Sequence, residues 1–277
     1  MGKNRRGIRA AALCLAVGAL ASCATERQVT YSGGTLEELV PEDEKRGREL
    51  AVEGMRLLKE AESVRMAVDM TKAARTRTGV LHMDRDGNCT GTYDMGPMER
   101  GRLIVVAGDA AYARYADESL DAIDAMAAGR DPEAAARVRE RTALARGKYL
   151  KLPEGTGNGS GAATPTTNCD LDKLTGTMPG TPEEGETFKA LDPIRRYGQD
   201  VIPLAGESHG QKMTLYVAAD GEPYVVGVRQ VGNGEAMLLR FSEYDEPVHA
   251  VAPPAEQTLD ISRFLPEGGD GGSLFEV

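Results

Sequence analysis

The chain reads as an α+β protein, built on one antiparallel sheet of eight or more strands with helices grouped before and between them. Two observations carry this. Short segments alternate apolar and polar residues, as Val64, Met66, Val68 and Met70 do against Arg65, Ala67, Asp69 and Thr71, the two-residue period of a half-buried strand. Tight-turn signals separate such segments at Asp86-Gly87, Gly108-Asp109, Asp220-Gly221 and Gly232-Asn233-Gly234, so successive strands fold back on one another.

The elements follow in order. Residues 1–22 read as an export signal: Lys3, Arg5, Arg6 and Arg9 precede an apolar run over 10–20 that is too short to span a bilayer. Leu20-Ala21-Ser22-Cys23 resembles the lipobox of bacterial lipoproteins, a closer match than an ordinary A-x-A cleavage site. That resemblance implies a diacylglyceryl thioether on Cys23, cleavage before it, and a protein held outside the cytoplasm on the outer face of the cell membrane. Burying two acyl chains at roughly 0.8 kcal/mol per methylene supplies on the order of 20 kcal/mol of anchoring. Arg5-Arg6-Gly7-Ile8 also half-resembles a twin-arginine signal, with Arg9 where a second apolar residue is usual, so both export routes stay open.

Residues 23–41 read as a flexible tether, polar and aperiodic around Gly33-Gly34. A single domain is expected over 42–265 and a disordered tail over 266–277. Pro41-Glu42-Asp43-Glu44 opens a helix, with acids where the helix dipole favours them. Leu50, Gly54, Leu57, Leu58 and Ala61 share one face of it, and the period switches to that of a strand at Ser63. Strands over 80–83 and 90–95 flank the Asp86-Gly87 turn, and strands over 102–107 and 110–116 flank Gly108-Asp109. Leu120, Ile123 and Met126 are placed on one face of a second helix, and Asp131-Pro132-Glu133 caps a third that stops at Gly147. Residues 149–152 resume extended structure, and the Gly/Thr/Ser-rich stretch 154–167 reads as a surface loop. Ile202 to Ala205, Met213-Leu215-Val217, Tyr224-Val226-Val228 and Met237-Leu239-Phe241 read as four more strands.

Composition narrows the function. With 33 Lys+Arg against 43 Asp+Glu the formal net charge is −10, and it reaches −14 once the four basic residues of the signal are removed. Such a balance argues against a nucleic-acid partner. It also holds the domain off anionic headgroups, by roughly 1 kcal/mol per charge near the surface, while the lipid keeps it tethered. Of four cysteines, Cys14 leaves with the signal and Cys23 carries lipid. Cys89 and Cys169 remain, and an even remainder in an exported chain reads as one disulfide. No histidine lies at ligand spacing from them, so no metal and no cofactor are expected, and the chain is expected to be monomeric.

Motifs with chemical potential are few. Gly206-Glu207-Ser208-His209-Gly210 fits the G-x-S-x-G elbow of serine hydrolases, which places its serine on a strand-to-helix turn. Here an alternating stretch follows, so a hairpin is expected and catalysis by Ser208 is the third-ranked reading. Asp84-Arg85-Asp86-Gly87-Asn88 resembles the start of a calcium loop, but Cys89 and Met95 occupy the positions that need glycine and glutamate. Gly157-x-Gly159-x-x-Ala162 is followed by Pro165 rather than a helix, unlike a dinucleotide fingerprint. No enzyme is predicted. Several methionines sit on alternating faces (Met66, Met70, Met83, Met213, Met237), where they serve either a packed core or an adaptable apolar wall.

The stretches Leu215-Tyr216-Val217-Ala218-Ala219-Asp220-Gly221-Glu222-Pro223 and Phe241-Ser242-Glu243-Tyr244-Asp245-Glu246-Pro247-Val248, followed by Pro253-Pro254, resemble actinobacterial lipoproteins of the LppX/LprG type. Asp245 stands where that family often has glycine. The resemblance implies a curved antiparallel sheet, a half-barrel closed by helices on one face over an apolar cavity, as in the related LolA and LolB folds. It further implies a membrane-anchored binder, and carrier, of a lipid or other apolar envelope molecule. The inward rows expected to line the cavity are Val64, Met66, Val68 and Met70, then Met213, Leu215 and Val217, then Met237, Leu239 and Phe241. The alternative is a non-catalytic envelope interaction lipoprotein whose sheet is simply packed.

Overall fold

In a computed structural model the described residues are 40–73, 75–152, 169–176, 187–208, 211–261 and 275. The export signal, the lipidation cysteine Cys23, the 154–167 loop and the Gly157-x-Gly159 stretch lie outside them. Residues Val40–Val277 form one compact unit.

Helix α1 (Glu42–Glu60) begins with Glu42, Asp43 and Glu44 in its first turn and buries Gly47, Ala51, Gly54, Leu57 and Leu58. Ala61, at its C-cap, turns the chain into β1 (Ser63–Lys72). A meander follows through β2 (Arg75–Asp84), β3 (Cys89–Asp94), β4 (Arg100–Val106) and β5 (Ala110–Tyr115), every neighbour antiparallel. Then come α2 (Asp117–Ala127) and α3 (Pro132–Ala145), whose cap is Asp131: its Oδ1 accepts from the amides of Glu133 and Ala134, both at 3.0 Å. Strand β6 (Tyr149–Leu152) returns to pair with β5. A short helix α4 (Leu171–Gly176) and two short strands, β7 (Phe188–Ala190) and β8 (Ile194–Arg196), lead into a second meander. Its strands are β9 (Gln199–Ser208), β10 (Gln211–Ala218), β11 (Val225–Gly232) and β12 (Glu235–Ser242). After an extended segment, β13 (Thr258–Asp260) ends the sheet.

The spatial order is β13-β6-β5-β4-β3-β2-β1-β12-β11-β10-β9-β7, with β8 on the same edge of β9 as β7. The two meanders join where β1 pairs with β12, Met66 opposite Phe241 and Met70 opposite Met237. The sheet is curved and does not close; its two main apolar clusters share one face with the buried helix faces, and a small cluster of Val201, Tyr216 and Val226 lies on the other. Helix α1 covers the half made of β7 and β9–β11, and α2 with α3 covers the half around β5 and β6. Gly47 and Gly54 allow the α1 backbone to come close. A methyl on Gly47 would lie 2.0 Å from the Phe188 carbonyl oxygen, and one on Gly54 would lie 2.8 Å from that of Pro223.

Four expectations need correction. The sheet is mixed, because β13 runs parallel to β6; the pairing is set by the long crossing segment before it and leaves no local signal. Met126 is 45% exposed, and Ala127 is fully buried in its place beside Leu120 and Ile123. At 100° per residue, position 127 returns to the 120/123 face and 126 does not. Val226 does not share a face with Val228: a bulge opposite Tyr216 and Val217 shifts the register, so Val225 points into the main core and Val226 out of it. Phe275, expected in a disordered tail, is 6% exposed and meets the Tyr115 ring edge-on at 5.3 Å, in the core under α2 and α3.

Candidate functional site

The register brings the ten expected wall residues together on the inner face. Met66 lies opposite both Leu81 and Phe241, Val68 lies opposite Leu239, Leu239 opposite Val228, and Val228 opposite Leu215. Residues paired directly across antiparallel strands share a face, so the row is continuous from β2 to β10.

Along the strands this face divides in two. Val64, Met66, Leu215, Val217 and Phe241 are buried in one cluster with Ala51 and Leu58 of α1. Val217 is packed against the helix, its Cγ1 3.2 Å from where a methyl on Gly54 would lie. Val68, Met70, Met213, Met237 and Leu239, towards the other strand ends, are only partly buried. The lower half is therefore packed core, and the upper half is an apolar wall with surface still accessible. Val228 and Gln230 of β11 continue that wall between β10 and β12, and Gln230 is a polar interruption within it. Leu81, Met83, Leu103 and Val105 extend the face across β2 and β4. Their alternation was visible in the sequence, but only pairing shows that they join the same row.

Three tyrosines bound the region. Burial pushes the phenol of Tyr93 far up, with nearby Tyr115 and Glu99 adding to it. Burial likewise raises Tyr115 to about 12, helped by the charge of Glu99. Tyr244 is raised by burial first and by Tyr224 and Asp245 second; its hydroxyl donates to the Val225 carbonyl at 2.6 Å. All three stay neutral through the physiological range.

A disulfide joins Cys89 at the start of β3 to Cys169, two residues before α4, with Cα atoms 5.6 Å apart. It pins α4 to the sheet together with the ion pair between Arg85 and Asp172, while Arg85 Nε also donates to the Ala61 carbonyl at 2.8 Å.

The other motifs resolve into structure. Ser208 ends β9 and pairs with Gln211 of β10, a strand-to-strand connection in place of an elbow. His82 lies on β2, five strands from β9 along the sheet order, so it is no partner for Ser208. His249 shares a hollow with His82 on the outer face. Asp84 accepts from the Asn88 amide at 2.8 Å and from its Nδ2 at 3.0 Å, and Asn88 Oδ1 accepts from Ala107 N at 3.0 Å. These side chains are spent on the turn. Among the described residues no group of three or more His, Cys, Asp or Glu is placed to hold a metal ion. Among them, too, no helix is long and apolar enough to cross a membrane.

Among solved structures the fold is similar to that of two mycobacterial proteins. LprF from Mycobacterium bovis superposes with a TM-score of 0.51 at 10% identity, over 76% of this chain and 97% of that one. The Mycobacterium tuberculosis lipoprotein LppX gives 0.48 at 12% identity, over 75% and 99%. No protein-family model and no curated protein matches the sequence. The likeness to LprF shows the fold.

Proposed function

We propose that the protein is an extracytoplasmic lipoprotein, anchored through Cys23, that binds a lipid or other apolar envelope molecule without catalysis. The observation that carries this is the division of the inner face. A continuous apolar row is packed under α1 at one end and remains accessible at Val68, Met70, Met213, Met237 and Leu239 at the other. Aliphatic and thioether side chains dominate that end, and the chain has no tryptophan and only four phenylalanines. Such a wall adapts to a flexible acyl chain and offers little for ring stacking. The shared fold supports the reading by analogy, since one fold hosts many functions. The LppX/LprG and lipobox resemblances of the sequence point the same way.

Two measurements test it. Native mass spectrometry of the purified protein should show a copurified apolar ligand in stoichiometric amount; a ligand-free protein that takes up none from added lipid refutes binding. Cys23→Ala should release the protein from membranes or leave an unprocessed precursor, and unchanged membrane fractionation and mobility refute the anchor.

A further inference from the structure

The face of the sheet opposite the apolar wall carries a groove whose side chains include Thr92, Arg102 and Arg114. We propose that this groove, centred on Arg102 and Arg114, binds a phosphate-bearing group. Arg102 of β4 and Arg114 of β5 are direct cross-strand partners, and both are exposed. Like charges in that relation sit roughly 5 Å apart at their Cβ atoms and destabilise the pair. A structural role would call for a carboxylate between them. None is supplied: the groove's acids are committed elsewhere, Asp94 to Arg100 at 2.8 Å, Asp69 to Arg240 at 3.6 Å and Asp117 to Arg146 at 3.5 Å. Arg102 has no carboxylate partner among the described residues, and Arg114 has only the face of Tyr149, 5.8 Å from the ring centre.

The surroundings suit an anion. The groove encloses about 610 Å³. Thr92 lies directly opposite Arg102 on β3, adding a hydroxyl to the same row. A smaller hollow of about 270 Å³ shares Val80 and Thr92 with it and continues to Arg65, His82 and His249. Two unneutralised arginines in a chain of net charge −10 run against its overall balance. Each guanidinium is a rigid planar fork. One fork fills the two oxygens of a carboxylate, whereas a tetrahedral phosphate has oxygens for both forks.

A phosphate of this kind is carried either by a lipid headgroup or by a soluble ester, and the two are separable. The full chain, purified in a neutral detergent at low salt, is titrated calorimetrically with inorganic phosphate, with sn-glycerol 3-phosphate, and with dihexanoyl phosphatidylglycerol below its micelle threshold. Saturable one-to-one binding is expected, weakened at least tenfold in Arg102→Gln/Arg114→Gln and unchanged in Arg48→Gln, which removes an exposed arginine on α1 away from the groove. Tighter binding of the short-chain lipid than of glycerol phosphate, with the difference lost in Arg102→Gln/Arg114→Gln, assigns the groove to a headgroup; equal binding of the two in the parent assigns it to a soluble phosphate ester. Without ligand, the glutamine pair should melt no lower than the parent, because a repulsion is removed. Arg102→Lys/Arg114→Lys keeps the charge and loses the forks, and should bind at least tenfold more weakly than the parent. The proposal is overturned if no probe binds saturably, or if either double variant binds as the parent does.

Discussion

The Asp245 carboxylate accepts a hydrogen bond from the Glu62 amide at 2.7 Å, while the Asp245 amide donates to the Ser63 carbonyl at 3.0 Å. The Ser63 hydroxyl adds a third bond, donating to the Glu246 carbonyl at 2.5 Å. Asp245 holds a φ of +59°, a conformation that favours glycine. The aspartate thus keeps a left-handed backbone in exchange for a clamp between the end of α1 and the segment leaving β12. Asp245→Ala loses the clamp and worsens the strain, and should cost about 2–3 kcal/mol in urea unfolding. Asp245→Gly loses the clamp but relieves the strain, and should cost about 1 kcal/mol. Equal destabilisation by the two variants would show that the backbone there is unstrained.

The two halves of the apolar face respond oppositely to enlargement. Val217 is packed against Gly54 and Val225 in the core, so Val217→Trp should overpack and lower stability by roughly 1–3 kcal/mol. Leu239 is partly exposed on the same face, so Leu239→Trp should leave the melting temperature within a few degrees of the parent while reducing the copurified ligand. A Leu239→Trp protein that retains its ligand undiminished places the ligand elsewhere.

The Cys89–Cys169 bridge spans 80 residues of chain and ties α4 to the sheet. On the chain-entropy estimate its loss costs roughly 4 kcal/mol. Cys89→Ala/Cys169→Ala should unfold at correspondingly lower urea, and hydrogen exchange should quicken first over 169–176. Parent and variant unfolding at the same urea concentration would show that the bridge constrains nothing.

Alkaline pH tests the buried tyrosines. A phenol raised by burial favours the folded state fully below its unfolded value of 10.0, and that contribution is lost as pH climbs from there through the folded value, about 12 for Tyr115. Tyr93 and Tyr244 are raised in the same direction. Phenolate absorbance should therefore show Tyr93, Tyr115 and Tyr244 titrating only above 10, as the fold is lost. All nine tyrosines titrating together in a protein that stays folded would contradict the burial of these three.

The inner face was legible because its signal is local: Val64 to Met70 and Met237 to Phe241 each show the strand period within seven residues or fewer. What escaped was set by pairing across the sequence. The register that puts Arg102 beside Arg114, the bulge that turns Val226 outward, and the parallel contact of Leu259 with Leu150 all depend on partners in other strands. Phe275 escaped because a single ring in a glycine-rich end carries no period. Met126 was misplaced by one residue at the end of a short helix, where the smaller Ala127 fills the contact.

The crossing segment between β12 and β13 has a consequence for how the protein is made. Strands β1–β6 and β9–β12 are each local meanders, yet β1 finds its second neighbour only when β12 is present, and β6 only when β13 is. Until the last strands arrive, β1 and β6 are unprotected edges, open to pairing with another chain. The pairings of β1 with β12 and of β6 with β13 join segments far apart in the chain, and are expected to form more slowly than the local hairpins. A chain emerging N-terminus first would keep β6 as an open edge until Thr258–Asp260 had emerged, and deleting those three residues would leave an edge that invites aggregation.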